Sequence, residues 1–235
     1  MKKRIWEVDA LRGFCIICML FVHLYYDLSL FGLFRIDCPW LITFFFGGWG
    51  GGVFFLISGV SANLGSRSVR RGLMVLGCGL VISAVTFGMS QLGFSGMSIY
   101  FGVLHCLGVC MLLWPIFRKL PGWALGLMGL GLVLLGIWLK ELPRLDHNWL
   151  MALGLRGPDP TGSDYFPLFP NLGFFLLGAG LGKFLYTKKE SLLPQVSTRN
   201  PLVRFFCWFG KHSLPVYMLH QPILFGCVWL IANFL

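Results

Sequence analysis

Charge is scarce in this chain. Of its 235 residues only 12% are Asp, Glu, Lys or Arg, while 57% are hydrophobic. A soluble domain carries about 25% charged residues, so an ordinary soluble fold is excluded. The apolar residues fall in blocks rather than in period-2 or period-3.6 stripes. Such blocks read as transmembrane helices, because the hydrocarbon core takes about 20 helical residues to cross. They leave no room for a separate soluble domain, and residues 1–235 read as one all-α integral membrane domain. Acidic residues are the rarest charge: 9 Asp and Glu against 19 Lys and Arg, a net charge of +10. Nucleic acid is excluded as the reason, since the cations lie in loops between apolar blocks, where they act as an orientation signal.

Other absences narrow the chemistry. No disulfide framework is legible: Cys15, Cys18, Cys78, Cys106, Cys110, Cys207 and Cys227 fall in or beside apolar blocks, and only Cys38 lies in an outer loop. The Cys15/Cys18 pair has C-x-x-C spacing, but inside a helix it reads as packing. No His-x-x-x-His or Cys/His spacing supports zinc, so no metal is expected. One histidine per helix does not suit a two-haem cytochrome. No internal repeat is visible, which weakens an inverted-repeat transporter. No small-residue cleavage site follows the basic opening "MKKRIWEVDALRG", so the first block is expected to be a retained helix rather than a signal peptide.

What the chain does have is seven expected spans, near 10–31, 41–64, 72–91, 98–117, 121–140, 167–187 and 213–234. The loops divide unequally. One set holds Lys2, Lys3, Arg4, Arg12, Arg67, Arg70, Arg71, Arg118, Lys119, Lys183, Lys188, Lys189, Arg199, Arg204 and Lys211; the other holds Arg35, Lys140, Arg144 and Arg156. The bias puts the N-terminus in the cytoplasm and the C-terminus outside. The segment "RFFCWFGKHS", 204–213, mixes aromatics with cations and is expected in the inner interface.

Ionisable groups inside spans cost free energy and so point to function. "LFVHLYYDL", 20–28, puts His23 and Asp27 one helical turn apart. If Arg12 marks the inner surface, His23 lies about 16 Å farther along, near the midplane. A carboxylate at i+4 can fix an imidazole tautomer, as a general base requires. His105 and His220 lie about 10 Å into their own spans, so three spans each bring a histidine toward the middle third. The bland alternative is a helix-to-helix hydrogen bond for each. "FFFGGWGGGVFFLISG" sets five glycines in six positions around Trp49. They serve either close helix packing or an unwound segment whose N–H groups face a ligand. At the cytoplasmic edge Asp9, Arg12, Arg67, Arg70, Arg71, Lys211 and His212 would attract anionic lipid headgroups, or a polyanion such as coenzyme A.

Taken together these stretches resemble the heparan-alpha-glucosaminide N-acetyltransferase catalytic-domain family, which includes many bacterial membrane proteins. Asp9, Arg12 and Gly13 match its D-x-x-R-G signature. "GGVFFLISGVSANL", "FGVLHCLGV", "YFPLFPNLGFFLLGAGLGKFL" and "WFGKHSLPVYMLHQPIL" are similar to its later segments, and the last of these also to broader membrane acyltransferases. The resemblance implies acetyl or other acyl transfer from cytoplasmic acyl-CoA to an amine or hydroxyl acceptor, a sugar or glycoconjugate, on the outer side of a bacterial inner membrane. Animal members have Asn at the His23 position and their key His in the following outer loop. Residues 30–40 here contain no His, so the base does not carry over and His23 is the expected one.

The expected site is therefore His23 as base or acyl carrier, oriented by Asp27. His105 and His220 would line the same cavity and bind the thioester carbonyl or the acceptor. The N–H groups of glycines 47–52 would stabilise the oxyanion. Asn171, Gln221 and Trp49 would hold the acceptor, and Asp9, Arg12, Arg67, Arg70 and Lys211 the acyl-CoA. Membrane lipids and a second copy of the chain are the further expected partners. Two other classes stay open: a small-solute transporter or flippase using His23 and Asp27 as a proton relay, and an assembly subunit whose polar residues only join helices.

Overall fold

The computed structural model describes residues 4–34, 49–92, 98–158 and 164–234. Among them lie eight α-helices and no strand: α1 (Trp6–Leu30), α2 (Trp49–Leu64), α3 (Ser68–Gln91), α4 (Val103–Phe117), α5 (Gly122–Glu141), α6 (Leu168–Leu185), α7 (Pro201–Lys211) and α8 (Ser213–Phe234), with a 3-10 turn at Met151–Leu153. Five of them, α1, α3, α5, α6 and α8, are long and apolar enough to cross a membrane by length and composition. The apolar helices Gly50–Leu64 and Val103–Phe117 are shorter. The first third of the expected second span, 41–48, lies outside the described residues. The chain divides into two compact units, Met1–Gly50 with Lys189–Leu235, and Gly51–Lys188.

In the first unit α1 opens with Glu7 and Asp9 in its first turn, where the positive end of the helix dipole favours carboxylates. It ends in a Schellman turn: Gly32 adopts φ +69°, Leu33 N–H donates to Leu28 O, and Gly32 N–H donates to Ser29 O. That left-handed position suits a residue without Cβ. Helix α7 crosses the start of α1 at close range. A Cβ on Gly13 would collide with the Phe206 carbonyl, and one on Gly210 with the Asp9 carbonyl. The opposite side of α7 exposes Leu202, Phe205 and Trp208, at i, i+3 and i+6 on one helical face. The linker ahead of α7 is tied to α1: Glu7 accepts from the Ser191 hydroxyl at 2.9 Å and from the Leu192 N–H at 2.7 Å. Helix α8 covers the residues expected for the last span and carries Pro222 in its interior. Pro222 has no N–H, so the Met218 carbonyl one turn back loses its helical partner.

In the second unit α3 runs along α4 and α5 along α6. Helix α2 meets α6 through glycine, since a Cβ on Gly59 would strike the Phe175 carbonyl and one on Gly178 the Leu56 carbonyl. Lys183 caps the C-terminal end of α4 by donating to the Arg118 and Leu120 carbonyls at 2.8 and 2.5 Å, the placement that a helix C-terminus favours. Helix α4 starts at Val103 rather than near 98. Gly102 is extended at its N-cap, and Asp164 Oδ2 accepts the Val103 N–H at 3.3 Å.

Candidate functional site

The first unit gathers four of the expected side chains on the seam between α1 and α8. Helical spacing puts His23 and Asp27 on one face of α1. The His23 and His220 rings meet edge to face with centroids 4.7 Å apart. One turn farther along α1, Gln221 Nε2 donates to Asp27 Oδ1 at 2.9 Å and to Oδ2 at 3.2 Å. Asp27 is fully buried and His220 is buried.

The tautomers follow from the partners. His23 Nδ1 lies 3.0 Å from the Met19 carbonyl and His220 Nδ1 lies 2.6 Å from the Tyr217 carbonyl. A carbonyl only accepts, so both Nδ1 atoms carry a proton, and in the neutral ring Nε2 carries the lone pair. This differs from the expected role of Asp27. The imidazole is oriented by the backbone one turn back, and Asp27 is engaged by Gln221 instead. The i, i+4 pattern identified the face correctly but could not see that α8 would supply a better donor. The expected role of His220 was to bind the thioester carbonyl or the acyl acceptor. A neutral His220 with its proton on Nδ1 presents an acceptor, and two acceptors do not bond. Tyr217 and Met19 enter through their carbonyls, which no sequence pattern marks.

His105 belongs to the second unit and both its nitrogens are committed. Gly102 N–H donates to Nδ1 at 3.2 Å. Nε2–H then faces Ser83 Oγ at 3.2 Å, and the Ser83 hydroxyl donates to the Ile99 carbonyl at 2.5 Å. His105 thus caps the start of α4 and braces it on α3. Asn171 is also buried in this unit. Its Nδ2 donates to the Pro167 carbonyl at 2.8 Å, and the Cys106 thiol approaches the same oxygen at 3.5 Å. Asn171 therefore secures the first turn of α6. The side chain of Trp49 and glycines 47 and 48 lie outside the described residues. Gly51 and Gly52 lie within α2, where a Cβ would meet the Phe166 and Phe174 rings. At those two positions the glycines serve close packing.

The expected acyl-CoA residues divide between the units. In the first, Asp9 is buried and pairs with Arg4 at 3.2 Å and with Arg12 at 3.6 Å. Lys211 is exposed directly after Gly210, whose backbone rests on that of Asp9. In the second, Arg67 is the N-cap of α3 and Arg70 lies in its first turn, both exposed. Cations at the positive end of a helix gain nothing from its dipole. Among the described residues no cluster of three or more His, Cys, Asp or Glu could hold a metal ion.

A chain whose described elements are all helical, with apolar helices of spanning length and with a histidine and a carboxylate buried between two of them, belongs to the class of integral membrane proteins. Residues 4–222 match the family described as heparan-alpha-glucosaminide N-acetyltransferase, catalytic, and the chain belongs to that family. Comparisons with curated proteins and with solved structures found no match.

Proposed function

We propose that the protein is a membrane-embedded acyltransferase. It would move an acetyl or other acyl group from cytoplasmic acyl-CoA to an amine or hydroxyl of a sugar or glycoconjugate on the outer side of a bacterial inner membrane. Seven spans with a cytoplasmic N-terminus suit this sidedness, and the Lys/Arg asymmetry supports it. The observation that carries the reading is the pair of histidines on α1 and α8. Each holds its Nδ1 proton on a backbone carbonyl, which leaves Nε2 as a base already in the right tautomer.

His23 Nε2 takes the acceptor's proton as its nitrogen or oxygen attacks the thioester carbon. The acyl–sulfur bond breaks, the new acyl–nitrogen or acyl–oxygen bond forms, and the proton passes to the departing CoA thiolate. Arg12 and Lys211, beside Asp9 on α1 and α7, offer positive charge to the CoA phosphates. A proton-coupled transporter would use the same histidines, but membership of an acetyltransferase family favours transfer over transport.

The test incubates the purified protein with acetyl-labelled acetyl-CoA and a panel of amino and hydroxy sugars, following CoA release and label on the sugar. Acceptor-dependent release is expected. A positioned base contributes about 10²–10⁴-fold, so His23→Ala should lose at least about 100-fold in rate with acetyl-CoA binding retained. No release and no acyl-protein adduct, under conditions where the protein binds acetyl-CoA, would refute the reading.

A further inference from the structure

We infer that Asp27 is a positioning residue acting through Gln221, and that the α1–α8 seam receives the proton-donating group of a ligand, a hydroxyl or an amine N–H, rather than its carbonyl; this rests on the transfer reading above. A glutamine amide has a donating end and an accepting end. The end of Gln221 that faces Asp27 is the NH2 group, and both Asp27 oxygens lie within reach of it. This fixes the direction of the other end. The Gln221 carbonyl oxygen is turned away from Asp27, is buried, and has no hydrogen-bond partner among the described residues.

The preceding residue presents the same polarity. His220 retains 7% of its exposure, its Nδ1 proton is spent on Tyr217, and its Nε2 is buried with no partner among the described residues. Two consecutive residues of α8 thus offer acceptor atoms held in place by fixed partners. Pro222 follows them at once and already interrupts the helical ladder there. Buried polar groups are nearly always hydrogen-bonded, and inside a membrane the requirement is stricter. A hydroxyl or amine supplies the missing donors. A thioester or ester carbonyl would add a third acceptor and be repelled. Protonating His220 would turn Nε2 into a donor, but only by placing a charge between two spanning helices. The acyl carbonyl is therefore held elsewhere, and the seam selects the nucleophile. Asp27 contributes by preventing the Gln221 amide from turning over.

The orientation of Gln221 can be read without turnover. The chain has three glutamines, Gln91, Gln195 and Gln221, so 15N-glutamine labelling gives three side-chain amide signals, and loss of one in Gln221→Leu assigns it. In the parent protein the Gln221 amide protons should be shifted downfield and exchange slowly, and Asp27→Asn should abolish both properties. Glucosamine as a probe should shift this signal, and per-O-methylated glucose, which has no donors, should not. In the transfer assay Asp27→Asn should raise the acceptor KM at least tenfold with the acyl-CoA KM unchanged. The exchanged pair Asp27→Gln with Gln221→Glu, which keeps an amide facing a carboxylate and an acceptor facing the ligand, should bring it back to within threefold. If Asp27→Asn leaves the Gln221 signal in place, or the methylated sugar shifts it as glucosamine does, the inference is overturned whatever the transfer assay shows. If the signals behave as described but no sugar is acylated, the polarity of the seam stands and the transferase reading fails.

Discussion

Helix α1 can keep its polar face in register with α7 and α8 only if its first half stays close to α7, and Gly13→Ala tests that contact. Two effects oppose each other. Replacing glycine by alanine in a helix interior gains about 1 kcal/mol of helix propensity. Against this, the new Cβ falls on the Phe206 carbonyl, with the Gly210 nitrogen as a further neighbour at 2.9 Å. Overpacking costs about 1–3 kcal/mol. The upper part of that range applies, because the obstacle is backbone inside an intact helix and cannot rotate away as a side chain would. The net expectation is a loss of about 1–2 kcal/mol, or roughly 2–8 °C in Tm for a chain of this size.

Gly77→Ala is the internal control. It lies within α3, and a Cβ there meets nothing within 4 Å, so only the propensity gain remains. Thermal unfolding of both variants in one detergent should move Tm in opposite directions. Gly210→Ala should resemble Gly13→Ala, and the double variant should lose less than the sum, because both substitutions push apart a single crossing. The separation also displaces Asp9, whose backbone rests on Gly210, so acetyl-CoA affinity should fall with Tm in Gly210→Ala but not in Gly77→Ala. If Gly13→Ala is as stable as Gly77→Ala, the α1–α7 crossing is not the tight contact described.

Two further outcomes bear on topology and on the loop between α5 and α6. An alkaline phosphatase fusion after Leu235 should be active and a green fluorescent fusion there dark; the reverse would discard the seven-span, cytoplasmic N-terminus arrangement. Tyr165 lies in the loop, donates to the Met151 carbonyl at 2.6 Å, and burial pushes its phenol up to about 12. Its folded pKa exceeds the unfolded value of about 10, so its contribution to stability is fully present below about pH 10 and is lost as pH rises toward about 12. Tyr165→Phe should cost about 1 kcal/mol at neutral pH and flatten the alkaline fall in Tm; an unchanged alkaline slope would count against the raised titration of a buried Tyr165.

The class of the fold was legible because it depends on composition and block length. The last span was expected at 213–234 and α8 occupies Ser213–Phe234. Asp9 and Arg12, expected together only as acyl-CoA residues, pair with each other at i, i+3. What failed to show were choices between partners distant in sequence. The start of α4 is set by Asp164, 61 residues away, and the use of both His105 nitrogens is set by Gly102 and Ser83. Nothing in "FGVLHCLGV" distinguishes a capping histidine from a catalytic one. The seam shows the same limit in reverse: Asp27 has His23 as its neighbour along the helix, yet Gln221, 194 residues away, takes its carboxylate.

Counting donors and acceptors distinguishes the two histidine clusters. Around His105 the count closes: Gly102 N–H is matched by Nδ1, Nε2–H by Ser83 Oγ, and the Ser83 hydroxyl by Ile99 O. In the α1–α8 seam the ring Nδ1 protons and the Gln221 NH2 are all spent, on Met19, Tyr217 and Asp27. Yet among the described residues His220 Nε2 and Gln221 Oε1 remain buried acceptors without a donor. If these residues served only to join the helices, the pairing would be expected to close as it does at His105, because an unmatched polar atom weakens the contact it is meant to strengthen. The excess of acceptors is therefore hard to explain by assembly alone. It is what a site needs if it is to receive an N–H or O–H and accept its proton.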